Sequence, residues 1–360
     1  MSERTLGMGV IGCGGIAQAA HLPNIVKNPR ARLVAVADID RDRANATAEQ
    51  WGCTGYGDYQ ELLANPEVEA VCVTSWAAAH AEAVIAAAEA GKHILCEKPI
   101  AIKLEDADAM VAAADRAGVK FTMGYQTRFG VAAPLVKQIL DDGLIGKVMG
   151  LNVVGVGPSS HGAPWFLKRE LSGGGVLMDW GIYTAFNLNW WLGPVERVFA
   201  TSAIFRKEVM VRGELLTDLD VEDTVAAHLT FRSGAMGSWY SAWAVRTGHS
   251  TTSIDGSEGA ILMGKGDGVN LYSTQLGDPD HLRGWRNIPA VEPSLIMLHY
   301  RKIEHLVNAV LDDTPLVMTG ADGRDALELV LAIYRSAELG QPVTLPLERG
   351  MPVMEPAVAI

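Results

Sequence analysis

One short run of small residues constrains this fold more than any other feature. Met8–Ile11 is an apolar, strand-like run, and Ile16–Lys27 is patterned as a helix. Gly12-Cys13-Gly14-Gly15-Ile16-Ala17 joins them with the spacing G-x-G-x-x-A. Gly12 suits a tight turn, Gly14 lets a phosphate chain approach the backbone, and Ala17 lets the helix pack closely on the strand. The unpaired N–H groups of the helix start then face the phosphates. A glycine motif alone is a weak signal. Between a strand and a helix it reads as a dinucleotide-binding turn.

The alternation continues through the first third of the chain. Gly7–Ile11, Leu33–Ala37, Val68–Val73, Lys92–Cys96 and Lys120–Gly124 read as strands. Helices are expected over Ile16–Lys27, Arg41–Trp51, Ala79–Ala90 and Glu105–Ala117, two of them closed by Gly91 and Gly118. This order predicts a parallel sheet with helices on both faces. After residue 125 the texture changes. Val148–Val156, Arg197–Arg206, Val221–Phe231, Ala235–Val245 and Ser250–Ile254 follow one another with few helices between. They predict a large, open, mostly antiparallel sheet, with turns at Ser233-Gly234 and at 255–259. Helices return at His299–Leu311 and Arg324–Glu338. The expected division is an α/β dinucleotide-binding domain over 1–124 and an α+β domain over 125–345. The last helix of the second domain is expected to pack back toward the first, and 346–360 forms a loose tail.

Composition removes several function classes. The net charge of -12 opposes nucleic acid or an anionic membrane surface as the main partner. No apolar run approaches the roughly 20 residues of a membrane span, and the N-terminal residues show no secretory pattern. Cys13, Cys53, Cys72 and Cys96 form no CxxC pair. They read as reduced thiols of a cytoplasmic protein, with no metal site.

Lys98 follows the apolar run His93–Cys96 in Glu97-Lys98-Pro99. It therefore stands at the carboxyl end of an expected buried strand, where parallel sheets bind ligands. There it can donate to a reacting oxygen or form an ion pair with Glu97. Asp38 ends the second strand, the place for an acid that accepts from the ribose hydroxyls of NAD. Arg41 and Arg43 follow and offer a site for the extra phosphate of NADP instead. Asp38 also suits the dipole of the helix that follows. In Ser172–Tyr183 three glycines lend flexibility to the backbone entering a helix, and Asp179 and Tyr183 are spaced to share one helix face. They make a substrate clamp and proton acceptor, or else a cap and a core residue. The segment 157–168 reads as a loop of the kind that carries substrate determinants. In and beside it, His161 is a rival proton acceptor. Trp165, Phe166 and the earlier Trp76 are sugar-stacking walls or core. His80, His93, His228 and His305 read as satisfied structural histidines.

These motifs occur in order with Thr74–His80, Ala90–His93, Gly124–Phe129, Gly143–Val148 and Gly256–Gly259. The series resembles, almost end to end, the glucose–fructose oxidoreductase and inositol dehydrogenase family of NAD(P)-dependent sugar oxidoreductases. The resemblance implies a Rossmann domain and an open-sheet domain, with substrate over the nicotinamide. It assigns cofactor contacts to Gly12, Gly14, Gly15, Ile16, Asp38, Thr74, Trp76, His80, Glu97, Lys98 and Gln126. Substrate contacts fall on Tyr125, Arg128, His161, Trp165, Phe166 and Lys168. Lys98 would touch the reacting hydroxyl, and Asp179 a neighbouring hydroxyl or the lysine.

The family pattern D-x-G-x-H usually ends in histidine, and here Tyr183 stands in its place. That is similar to the branch containing glucose–fructose oxidoreductase and the dihydrodiol or xylose dehydrogenases. A phenol starts near pKa ~10 against ~6.5 for imidazole, so nearby cations must stabilise its phenolate. Two further departures are Phe186, where the family carries a polar Asp, and Ser75-Trp76, where a proline often follows the threonine. The function implied is hydride transfer between NAD and a secondary alcohol or hemiacetal of a sugar, polyol or glycoside. Alternatives are an NADP-linked reductase, a transhydrogenase that retains its cofactor, and a non-catalytic cofactor-binding regulator. The uncovered sheet face suits a homodimer or homotetramer.

Overall fold

The computed structural model describes residues 4–159, 163–264, 268–276 and 284–348. The chain forms two compact units. One comprises the residues up to Phe129 together with Pro293–Arg324, the other Gly130–Glu292 together with the chain from Asp325 on.

The first unit is built on six strands: β1 Leu6–Ile11, β2 Ala31–Ala37, β3 Thr54–Tyr56, β4 Ala70–Val73, β5 His93–Cys96 and β6 Phe121–Met123. Every pairing is parallel, in the order β3-β2-β1-β4-β5-β6. All of β1 and β4 is buried, which explains their unbroken apolar runs. The strand order reverses between β1 and β4. Such a switch point leaves a crevice at the carboxyl ends of the strands, and here those ends lead into Gly12, Thr74 and Glu97.

Helix Arg41–Trp51 has the expected bounds: the Asp40 side chain accepts from the Arg43 N–H at its start, and Gly52 closes it in the left-handed region. β3 and helix Tyr59–Ala64 were not anticipated. Each is too short for a period to show. The strand expected from Val68 begins at Ala70, because the Val68 N–H is taken by Asn65 O in a turn.

Helix Leu295–Leu311 belongs to this unit, not to the second domain expected over 125–345. Its buried Ile303, Leu306 and Val307 join Leu6, Met8, Val10 and Leu95 in one core. The residues up to Phe129 also stay with the parallel sheet.

The second unit carries a nine-stranded sheet. Its strands are β7 Val148–Val156, β8 Val195–Ala203, β11 Thr224–Phe231, β12 Met236–Ala242, β13 His249–Gly256, β14 Gly259–Met263, β15 Gly268–Ser273, β16 Arg286–Pro289 and β17 Val343–Thr344. The order is β16-β15-β14-β13-β7-β12-β11-β8-β17. All pairs are antiparallel except β12 with β7, which is parallel, so the sheet is mixed. A separate ribbon pairs β9 Val209–Val211 with β10 Glu214–Leu216.

Burial alternates along β11: Val225, Ala227, Leu229 and Phe231 are buried while Ala226 and His228 are exposed. On the outward face, Phe199, His228, Ser238 and Asn152 stand in register across four strands. Phe199, Met236 and Tyr240 are exposed there. Trp239, on the buried face, packs beside Gly181. Among the described residues no helix is long and apolar enough to cross a membrane, and no cluster of His, Cys, Asp or Glu is placed to hold a metal ion. The four cysteines are unpaired with one another, and only Cys53 is not buried.

Candidate active site

At the switch point, Gly12 has φ +96° and donates its N–H to Ala37 O at 2.8 Å. A Cβ there would lie 2.7 Å from Ser75 N, so the turn requires glycine on both counts. Gly14 and Gly15 differ. A Cβ at either would meet no protein atom within 4 Å. Their bare backbone therefore lines open space in front of the helix, a cradle that fits a pyrophosphate. Ile16 is exposed beside them. The helix begins with a wide π-type turn at Ala17–His21 before Leu22–Lys27, an irregularity common at functional sites.

The acid expected at the ribose is tied into this turn. Asp38 Oδ2 accepts the Cys13 N–H at 2.8 Å, and Oδ1 accepts the Asp40 N–H at 2.9 Å and Arg43 Nη2 at 2.8 Å. Burial alone would raise its pKa. The bonds from Arg43 and the two backbone N–H groups outweigh it and hold the carboxyl below the usual range. Arg43, the alternative phosphate ligand, is thus paired with Asp38.

Two other cofactor candidates brace the protein itself. Thr74 Oγ1 donates to Gly12 O at 2.6 Å. His80 places Nδ1 2.8 Å from Pro99 O and Nε2 3.0 Å from Ser75 O, and the single N–H of a neutral ring donates to one of these main-chain carbonyls. The residue is buried, as a structural histidine should be. Of the other structural histidines, His93 accepts the Lys120 N–H through Nδ1 and His305 accepts the Val317 N–H through Nε2.

Lys98 lies two residues past the end of β5 and is half-buried. The carboxylate next to it is engaged elsewhere. Glu97 Oε1 pairs with Lys302 Nζ and lies 2.8 Å from His21 Nε2. All three side chains are buried. Trp76 and Gln126 are half-buried near the same sheet end, whereas Tyr125 and Arg128 are buried. Desolvation lowers the Arg128 guanidinium to about 10, against the pull of Asp322.

In the second unit a wide turn at Leu177–Gly181 leads into helix Ile182–Leu192. Asp179 and Tyr183 are half-buried on it, while Phe186 lies in the core. The glycines before it serve close approach rather than flexibility. A Cβ on Gly175 would fall 1.8 Å from Glu222 O. Glu222 itself is fully buried and caps the segment: Oε2 accepts the Gly175 N–H at 2.8 Å, and Oε1 accepts the Leu177 N–H at 3.1 Å and Tyr334 OH at 2.6 Å. Burial raises its pKa, partly offset by these three donors.

Trp165 and Phe166 stack at 3.9 Å between ring centroids and are half-buried. The Lys168 ammonium binds Asp218 Oδ2 and O, each at 2.9 Å. His161 lies outside the described residues.

His21, Lys302 and Glu222 belong to no motif in the sequence. For Lys302 a signal existed: it sits on the apolar stripe of its helix with Leu298, Ile303 and Leu306, a place where lysine is expected only when paired.

The buried imidazoles predict acid lability. Burial first, then the Lys302 charge, depresses both His21 and His299 to about 4. In the unfolded chain they titrate near ~6.5, so it binds protons before the fold does as pH falls. Stability is therefore expected to drop from about pH 6.5 downward until the folded imidazoles titrate at about 4, by roughly 3 kcal/mol per site. Denaturant titrations across this range check it. His21→Asn, which removes one titrating group, should flatten the slope.

Comparison with known proteins agrees with this geometry. Residues 6–125 match the GFO/IDH/MocA oxidoreductase family with its NAD-binding Rossmann fold, and 135–262 match the GFO/IDH/MocA C-terminal domain. A myo-inositol 2-dehydrogenase from Thermotoga maritima is 31% identical over 94% of this chain and 98% of its own length. A 1,5-anhydro-D-fructose reductase from Ensifer adhaerens is 28% identical over 92% and 96%. Among solved structures, a levoglucosan dehydrogenase in complex with NADH and L-sorbose superposes with a TM-score of 0.86 at 23% identity, covering 95% of this chain and 99% of that one. That last likeness concerns the fold.

Proposed function

This chain belongs to the GFO/IDH/MocA oxidoreductase family, and we propose that within it the protein is an NAD(H)-dependent dehydrogenase of a sugar, polyol or glycoside, acting at a secondary alcohol or hemiacetal carbon. The observation that carries this reading is an open glycine cradle at Gly14 and Gly15 after β1, with a lysine just past the end of β5, two strands away in the same sheet. Bound NAD supplies the hydride acceptor. Gly12, Gly14, Gly15 and Ile16 hold its pyrophosphate and Asp38 faces its ribose. Lys98 donates to the reacting oxygen, Tyr183 takes the hydroxyl proton, and Asp179 orients substrate. Trp165 and Phe166 offer an aromatic face to a sugar ring. The names of the inositol and anhydrofructose relatives support the substrate class. The exposed outer face of the mixed sheet, with Phe199, Met236 and Tyr240, is the surface through which we expect a homodimer or homotetramer to form, in the cytoplasm.

Cofactor choice tests the first half. NAD⁺ should bind more tightly than NADP⁺ in calorimetric titration, because the Asp38 carboxylate repels a ribose phosphate. Asp38→Ala should narrow the difference and release Arg43. A clear NADP preference in the native protein would transfer the site to Arg43. A spectrophotometric screen of inositols, aldoses and anhydrosugars tests the second half. A protein that binds NAD yet reduces it with none of them would be a cofactor-binding regulator.

A further inference from the structure

Lys302 is fully buried on helix Leu295–Leu311, yet the reaction assigned above makes no use of it. Its ammonium meets Glu97 Oε1 and lies 3.2 Å from His21 Nε2. A carboxylate only accepts and an ammonium only donates. The shorter approach, 2.8 Å from His21 Nε2 to Glu97 Oε1, therefore marks Nε2 as the protonated nitrogen of a neutral ring. His21 Nδ1 has no hydrogen-bond partner, as that tautomer allows.

The other carboxylate oxygen, Glu97 Oε2, accepts the Lys98 backbone N–H at 3.3 Å. It lies where a Cβ on Gly124 would come within 2.7 Å, so the carboxylate is wedged against the end of β6. His80 grips the far side of the same turn through Pro99 O.

The remaining titratable groups facing this cluster are His299, His80, Cys72 and Cys96. Burial keeps the imidazoles neutral and the thiols protonated near neutral pH. The formal charges inside are then one carboxylate and one ammonium.

We propose that Lys302 is a positioning residue for hydride transfer: it anchors the Glu97 carboxylate inside the sheet and so fixes the turn that carries Lys98. This rests on the role given to Lys98 above.

Three full-length variants test it: Lys302→Met, Lys302→Met with Glu97→Gln, and Lys98→Met. Misplacing a catalytic group by about 1 Å can cost about 10²-fold, so Lys302→Met should lower kcat by about 10- to 10²-fold. The KM for NAD⁺ should stay within about threefold, well short of the loss a 1 Å shift produces. With Glu97 left uncompensated, His21 becomes its counter-ion. The His21 imidazole, followed by NMR without cofactor, should titrate well above its native value of about 4. The kcat of the variant should then recover toward acid pH and fall as His21 loses its proton, a limb absent from the native profile.

The double variant removes both buried charges, a change folds often tolerate. It should fold even if Lys302→Met alone does not. It should also keep a reduced kcat without acid recovery. A native kcat in either variant, or an unmoved His21 titration in a folded Lys302→Met protein, overturns the proposal. Full activity of Lys98→Met would instead overturn the role of Lys98, while the His21 titration would still report the ion pair.

Discussion

Lys98→Met is expected to lower turnover by at least ~10²-fold, the size typical of losing a positioned proton-transfer partner, while NAD(H) affinity stays nearly native. The side chain projects from the end of a buried strand, and methionine keeps its length and apolar stem. What is lost is the proposed donor to the reacting oxygen. The neighbouring carboxylate does not inherit the work, since Glu97 is committed to Lys302 and His21. Tyr183→Phe should fall comparably in alcohol oxidation and lose its basic pH dependence, with ring packing intact. Steady-state kinetics beside cofactor titrations separate chemistry from binding. Native turnover in both variants would remove Lys98 and Tyr183 from the mechanism.

Glu222→Ala carries the largest expected loss of stability, about 3–5 kcal/mol, from three buried donors left unsatisfied at ~1–3 kcal/mol each with partial relaxation. Those donors are the N–H groups of Gly175 and Leu177 and the Tyr334 hydroxyl. Glu222→Gln keeps the volume and one acceptor, so it should lose less, although its amide NH₂ would confront an N–H. Denaturant midpoints with an unchanged slope would report these losses. A shift below about 1 kcal/mol, the worth of a single ordinary hydrogen bond, would mean that the segment from Gly175 to Leu177 is held by other means. Because this segment leads into the helix of Asp179 and Tyr183, activity of the folded fraction should fall as well.

Much of the fold was legible because its determinants are local. Helix Arg41–Trp51 and strand Val148–Val156 take the bounds expected from capping residues and β-branched runs. The glycine turn announced itself because its strand, its small residues and its helix are contiguous. Elements of three to six residues, such as Thr54–Tyr56 and Tyr59–Ala64, left no readable period. The parallel pairing of β12 with β7 could not be read either, since alternation marks which face a residue occupies and not which neighbour it pairs with.

The candidate site divides along the same line. By itself the sequence determined the chemical types available: a glycine cradle, an acid after the second strand, a lysine after β5, and an acid and phenol on one helix. Tertiary structure alone decided what each side chain does with its charge. Glu97 was one of two partners the sequence offered Lys98, the other being a reacting oxygen, and its Oε1 pairs with Lys302, 205 residues away. Glu222 carried no motif and proved to cap a segment 47 residues before it, with a tyrosine 112 residues after it closing the same carboxylate. Gly175 read as flexibility and turned out to be clearance for the Glu222 backbone. Periodicity and capping are recorded residue by residue along the chain, whereas a buried charge is satisfied by whichever distant group the packed fold brings within hydrogen-bond reach.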